Sequence, residues 1–181
     1  PMSSRCCKPT CLTHVTLSFT GCVNNMAQIH LQVGQPDDAM KMLIEALERG
    51  NRALAAMYRL SEPEPKPETE DEDEVEEVCE EVCEEESEDL IKDARRTSRL
   101  RRKLARTLIN IGHVHYFNFN YDAALGSLHD AAHLLDGRTM TGRTIAAIHF
   151  NISMTLFHQN KYSEALTRLD KFLELAVKFN G

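Results

Sequence analysis

The sequence has no tryptophan, and aromatic residues make up only 6% of its 181 residues. It also lacks an apolar run of the roughly eighteen residues that a membrane-spanning helix needs. Its first residues show neither the apolar core nor the small-residue cleavage site of a signal peptide. We therefore expect no membrane partner and a location in the cytoplasm or the nucleus. Because 42% of the residues are hydrophobic, the chain can still bury one core or one short stack of repeats.

The common catalytic signatures are missing as well. The sequence contains no GxxxxGK[ST] phosphate loop, no GxGxxG after a strand pattern, no HExxH zinc motif and no nucleophile elbow. His129 and His133 are one helical turn apart, but no third metal ligand accompanies them. We therefore expect a protein that is not an enzyme and that needs no metal or other cofactor.

Cysteines are few and unevenly placed, which favours free thiols over a disulfide framework. Four possible metal ligands crowd near the N-terminus: Cys6, Cys7, Cys11 and His14. Their order does not match the CxxC spacing of a zinc knuckle, so we interpret the segment as a flexible tail. Zinc binding there and acylation of Cys6 or Cys7 are the open alternatives.

Charge is divided sharply along the chain. The net charge is −7, yet residues 61–89 hold 17 acidic residues against one lysine, which leaves the remainder at about +9. This segment has too few apolar residues to fold alone, and we predict that it is disordered. A helix where Val75, Val78 and Val82 recur is the open exception. The acidic segment and the basic remainder therefore need separate interpretations.

A repeat becomes visible when one small residue is taken as the anchor in each of three segments, namely Ala39, Ala124 and Ala165. A leucine follows each anchor four residues later: Leu43, Leu128 and Leu169. A small residue lies twelve positions before each anchor: Ala27, Gly112 and Ser153. An apolar side chain directly precedes that small residue: Met26, Ile111 and Ile152. Such recurrence indicates stacked repeats of one supersecondary unit.

This arrangement resembles the tetratricopeptide repeat, in which small residues let two antiparallel helices approach closely. The resemblance covers roughly residues 20–53, 105–138 and 146–179. Two departures are Pro36, where the other copies have an aromatic residue, and Phe172 at a usually small position. The resemblance implies an all-α solenoid of three antiparallel helix pairs that binds other proteins.

The distances between the copies indicate how the chain is divided into units. Ala165 lies 41 residues after Ala124, a length similar to the repeats of kinesin light chain and of Pins-type adaptors. Ala124 lies 85 residues after Ala39, so the acidic segment interrupts the array. The predicted units are an N-terminal tail, a first helix pair, the acidic insertion, and the second and third pairs: 1–11, 12–60, 61–89 and 90–181.

An asparagine recurs fourteen positions before every anchor, at Asn25, Asn110 and Asn151. The resemblance places this position on the concave face, where similar adaptors use asparagines to hold partner peptides. A carboxamide has both a donor and an acceptor, so it can bond the backbone of an extended peptide whatever its sequence. The alternative is that these asparagines only pack within the repeats.

Helical phase extends the predicted site to neighbouring positions on the first helices. The predicted peptide-binding residues are Asn25, Gln28, Arg106, Asn110, His113, Phe117, Phe150, Asn151, Met154 and His158. They form a mixed surface of apolar anchors and polar groups. The two-carboxylate clamp of some co-chaperone repeats is not matched, because Ala147 and Asn151 stand where basic residues are needed.

Arg99, Arg102 and Arg106 share one helical face and make the groove edge near the second copy positive. An acidic partner or the chain's own acidic segment fits that edge, although the arginines could equally well only solvate the helix. A histone-chaperone-like protein that binds basic partners through residues 61–89 is the alternative function. We expect no nucleic-acid partner, because the acidic segment repels phosphate.

The last repeat leaves apolar residues at its C-terminal end: Leu173, Leu175, Ala176 and Phe179. Repeat arrays need a polar capping face at each end to stay soluble. We therefore expect a longer array, a partner protein, or self-association through the C-terminal repeat to cover this end.

Overall fold

The computed structural model describes residues 9–61, 79–135 and 142–180, with side chains described in 15–59, 91–135 and 142–178. These ranges contain six α-helices and no β-strand. The helices are α1 Pro9–Gln32, α2 Pro36–Ser61, α3 Cys79–Phe117, α4 Tyr121–Leu134, α5 Gly142–His158 and α6 Tyr162–Asn180. The predicted all-α helical repeat is confirmed.

Consecutive helices pair as α1 with α2, α3 with α4 and α5 with α6, each through a tight turn. Each turn puts one residue in the left-handed region: Gly34 at φ 79°, Phe119 at φ 59° and Asn160 at φ 63°. Backbone bonds then close the helix end; in the second turn the Asn120 N–H donates to the His115 carbonyl oxygen at 2.9 Å. This is a Schellman closure, and it recurs at the same repeat position in all three pairs.

Small residues allow the close approach within each pair. The six predicted seam positions are all buried: Ala27, Ala39, Gly112, Ala124, Ser153 and Ala165. A Cβ added to Gly112 would lie 3.2 Å from Leu128 Cγ and 3.4 Å from the Ala124 carbonyl oxygen. The spacing between α3 and α4 therefore leaves no comfortable room for a larger residue at this position.

Each second helix packs on the next first helix, α2 on α3 and α4 on α5, so the pairs stack into one array. The apolar stripe of α3 is buried at Leu100, Leu104 and Ile111, while Leu108 is partly buried. Helix α1 also contacts α3 directly. This side-by-side packing of first helices forms the floor of the groove described below.

Helix starts differ from the sequence-based boundaries. Helix α3 begins at Cys79 and not near Leu90, so the end of the predicted disordered insertion is helical, consistent with its many glutamates. Helix α1 begins at Pro9, inside the predicted tail, and proline suits a first helical position. Helix α2 ends at Ser61, as the following prolines predict. Residues 62–78 lie outside the described part of the chain.

Candidate functional site

The first helices α1, α3 and α5 line an open groove with a volume of about 980 Å³. Its cationic side chains come from α3 and α5: Arg99, Arg102, Lys103, Arg106 and Arg143. No aspartate or glutamate occurs among the described residues that line it. We call this part of the groove the basic section, because all of its charged lining residues are positive.

Two of these cations are already positioned by their surroundings. The Lys103 ammonium donates to the Leu17 carbonyl oxygen at 2.6 Å and so fixes the basic section against α1. Arg102 Nε is buried and has no hydrogen-bond partner among the described residues. A buried donor without a partner is costly, so this guanidinium is suited to donate to an acidic group of a partner.

A chain of carboxamides forms the floor between α1 and α3. Asn24 Nδ2 donates to Thr107 Oγ1 at 3.1 Å and, more weakly, to the Lys103 carbonyl oxygen at 3.4 Å. Asn110 Nδ2 donates to Asn24 Oδ1 at 3.1 Å, and Gln28 Nε2 donates to Asn110 Oδ1 at 2.8 Å. We call this network the amide latch, because it joins α1 to α3 through buried and partly buried hydrogen bonds.

The three repeated asparagines therefore have different surroundings. Asn25 is exposed, Asn151 is half-buried, and Asn110 is only 4% exposed within the amide latch. All three line the groove. Asn110 reaches a partner only if Gln28 moves aside, whereas Asn25 and Asn151 are open to one.

An apolar section continues the groove between α3 and α5, with a volume of about 230 Å³. Phe117, Phe150 and Met154 line it and are exposed, and Tyr116 lies beside them. Its lining shares two residues with the basic section, His113 and Asn151. The two sections thus form one continuous surface with a charged end and an apolar end.

His158 lies at the turn end of α5, in a cluster of rings. Its imidazole stacks on Tyr121, with ring centroids 5.8 Å apart and planes at 14°, and meets Tyr116 edge-on at 5.4 Å. Burial, reinforced by Tyr121, raises the pKa of the Tyr116 hydroxyl. Of the ten predicted site residues, nine line one of the two sections, and His158 borders the apolar section through Tyr116.

Among the contributors to this surface that sequence reasoning omitted are Asn24, Lys103, Tyr116 and Arg143. Asn24 is adjacent to a predicted residue, yet one step along a helix turns a side chain by about 100°. Arg143 on α5 is far in sequence from the cations on α3, and only the fold brings it to the same groove. An inspection of every cation on the first helices would have found Lys103 and Arg143.

Within the described ranges, no group of three His, Cys, Asp or Glu side chains is arranged to hold a metal ion. Among the described helices, none is long and apolar enough to cross a membrane. The side chains of the N-terminal group lie outside the described residues: Cys6, Cys7, Cys11 and His14.

The paired helices, recurrent turns and shared groove define a helical repeat protein of the interaction type. Residues 20–58 match the family described as tetratricopeptide repeat. No curated protein matches the chain. Within residues 20–58 the chain therefore contains a tetratricopeptide repeat, a type of protein–protein interaction module that is generally non-catalytic.

Proposed function

We propose that the groove binds an extended protein segment that carries acidic residues followed by a large apolar side chain. The observation that supports this most strongly is the basic section, which has five cations and no acidic residue among its described lining. The acidic part of the partner lies over the basic section, and its apolar side chain enters the apolar section. The protein thus acts as an adaptor with one defined peptide site.

Electrostatics favours this partner over a neutral one. Cations gathered in a cleft attract an acidic segment over about one Debye length, roughly 8 to 10 Å at physiological salt. Arg102 and Arg106 are on α3, while Arg143 approaches from α5, so an acidic side chain can contact two helices at once. Binding should therefore weaken as salt is raised.

The exposed carboxamides supply contacts that do not depend on partner sequence. Asn25 and Asn151 lie at different points of the groove and bond the partner backbone. Asn110 contributes indirectly, because it holds Gln28 and joins α1 to α3. The apolar section then fixes the position of the segment, since a buried large side chain contributes about 1.5 to 3 kcal/mol.

Fluorescence polarisation with three dye-labelled peptides tests the proposal. One peptide has several glutamates followed by a phenylalanine, the second has glutamine in place of glutamate, and the third has lysine. We expect clear binding of the acidic peptide only, and affinity should fall with added salt. Equal binding of the acidic and glutamine peptides would show that the charge selection is wrong.

Variants locate the binding surface. Arg102→Glu with Arg106→Glu should weaken the acidic peptide about tenfold or more, because each partly exposed charge contact contributes of order 1 kcal/mol. Arg52→Glu with Arg59→Glu is the matched control, since both arginines are exposed on α2 and do not line the groove. An equal loss in both double variants would place the peptide outside the groove.

Two further variants separate groove binding from the alternative function. Asn25→Ala with Asn151→Ala should weaken all bound peptides, because it removes backbone contacts. Deleting residues 62–78 should leave groove binding intact. Loss of the partner on that deletion, with the asparagine variant unaffected, would favour the chaperone-like interpretation instead.

A further inference from the structure

The outer face of α6 has an apolar stripe that no described residue covers. Leu166, Leu173 and Val177 are exposed, and Leu169 is half-exposed between them. Their spacings of three and four residues put them on one side of the helix. This stripe, which we call the tail face, is independent of the groove and of its proposed function.

The repeat register shows what kind of element covers such a face. Counted from the anchors, Leu169 corresponds to Leu43 in α2 and to Leu128 in α4. Both of these are fully buried, because α3 covers α2 and α5 covers α4. The tail face is therefore built like two surfaces that each receive the first helix of another repeat.

The opposite end of the array has the complementary face. On α1, Val15, Met26 and Ile29 are exposed, together with Cys22 and Val33. We call these five residues the head face. Val15 lies seven residues, about two turns, before Cys22, and the later members follow at spacings of four, three and four residues, so all five share one side of the helix.

The head face corresponds to a surface that α3 buries. Counted from the anchors, Met26 matches Ile111 and Ile29 matches Val114. Ile111 and Val114 belong to the core that packs against Leu43 of α2, and Val114 is 0% exposed, whereas Ile29 is 59% exposed. The head face is thus built to receive a second helix such as α6.

Charge distribution supports the same interpretation. Residues 15–33 contain no Asp, Glu, Lys or Arg, although nine of these nineteen residues are exposed. Exposed helix faces normally carry charges, while the centres of protein interfaces are depleted of them. No charge on α1 therefore opposes the approach of an apolar helix.

We propose that the chain associates head to tail, with the tail face of one copy packing on the head face of a second copy. The contact repeats the packing of α2 on α3 and continues the stack of helix pairs. Because the two faces differ, the contact is heterologous, and each added copy leaves one free face at either end. The self-association expected through the C-terminal repeat thus has α1 as its partner surface.

Sedimentation velocity over a range of concentrations tests the proposal on the 181-residue chain. Wild-type mass should rise with concentration beyond that of a dimer. Leu173→Glu destroys the tail face, and Ile29→Glu destroys the head face; each variant alone should stay monomeric. An equimolar mixture should form a dimer and nothing larger, because one intact tail face meets one intact head face.

Ile44→Glu is the matched control, because Ile44 is an exposed isoleucine on α2 outside both faces. Far-UV circular dichroism of every variant confirms equal helicity. Weak complexes have dissociation constants in the micromolar-to-millimolar range. The proposal would be overturned if the wild type stayed monomeric at about 100 μM. Dimers of either single variant alone would also overturn it, since those would show symmetric pairing. Leu173→Glu and Ile29→Glu should both still bind the acidic peptide, because neither residue lines the groove. A failure of self-association is thereby distinguished from a failure of groove binding.

Discussion

The amide latch makes a sharp distinction between two adjacent asparagines. Asn24→Ala removes the donor to Thr107 Oγ1 and the acceptor for Asn110 Nδ2, both bonds of 3.1 Å. Asn25→Ala changes the same chemical group one position along α1, but Asn25 is exposed. Both variants make the same Asn→Ala change in the same helix, so a difference in their stability reports the burial and hydrogen bonds of Asn24.

The magnitude follows from the groups involved. Two lost hydrogen bonds cost about 0.5 to 1.5 kcal/mol each, and the buried Asn110 donor left without a partner costs about 1 to 3 kcal/mol. Alanine recovers roughly half a kcal/mol through better helix propensity. We expect Asn24→Ala to lower the free energy of unfolding by about 2 to 4 kcal/mol. Asn25→Ala should change it by less than about 0.5 kcal/mol.

Urea unfolding followed by far-UV circular dichroism measures the difference. With a slope of about 2 kcal/mol per molar urea, the Asn24→Ala midpoint should fall by about 1 to 2 M. Adding Asn110→Ala to Asn24→Ala should cost less than the sum of the two single changes, because the orphaned donor is also removed. Equal midpoints for Asn24→Ala and Asn25→Ala would refute the latch as a stabilising element.

Three other predictions concern a turn glycine, a helix glycine and the pH dependence of stability. Gly34→Ala should destabilise the chain by about 1 kcal/mol, because φ is 79° and only backbone strain opposes the new methyl group. Gly126→Ala, in an open position of α4, should stabilise it by about 1 kcal/mol, and thermal unfolding of both variants compares the signs. Burial, followed by Arg168, lowers the pKa of both His129 and His149 below the ordinary 6.5. The unfolded chain then binds more protons just below pH 6.5, so stability should fall as pH drops through that value. In the wild type, the urea midpoint should be lower at about pH 5.5 than at pH 7.5. In the His129→Asn, His149→Asn double variant, the difference between these two midpoints should be smaller.

The repeat architecture could be predicted from sequence because its determinants are local and periodic. Small residues at fixed distances from Ala39, Ala124 and Ala165 mark the seams, and all six seam positions are buried. The left-handed turn residue is recognisable at Gly34 and Asn160, since both residue types favour positive φ. Phe119 shares the position without such a preference, and only the repeat register reveals it.

The site was less predictable, because its decisive contacts join distant parts of the chain. Asn24 and Thr107 are 83 positions apart, and no periodicity indicates that they meet. The three repeated asparagines line the groove, but burial separates Asn110 from Asn25 and Asn151. The positive face of α3 was predicted from helical phase, whereas the contribution of Arg143 depends on how α5 stacks on the array.

The packing around the acidic segment also bears on how the polypeptide tolerates being cut. Core clusters cross from one side of that segment to the other: Leu43 packs with Val114, and Leu54 packs with Leu100. The amide latch adds polar bonds between the same two sides. A single peptide cleavage between residues 62 and 78 leaves these contacts unchanged. We therefore expect the two fragments to reassemble without a covalent link, which would make this repeat array a split-protein pair.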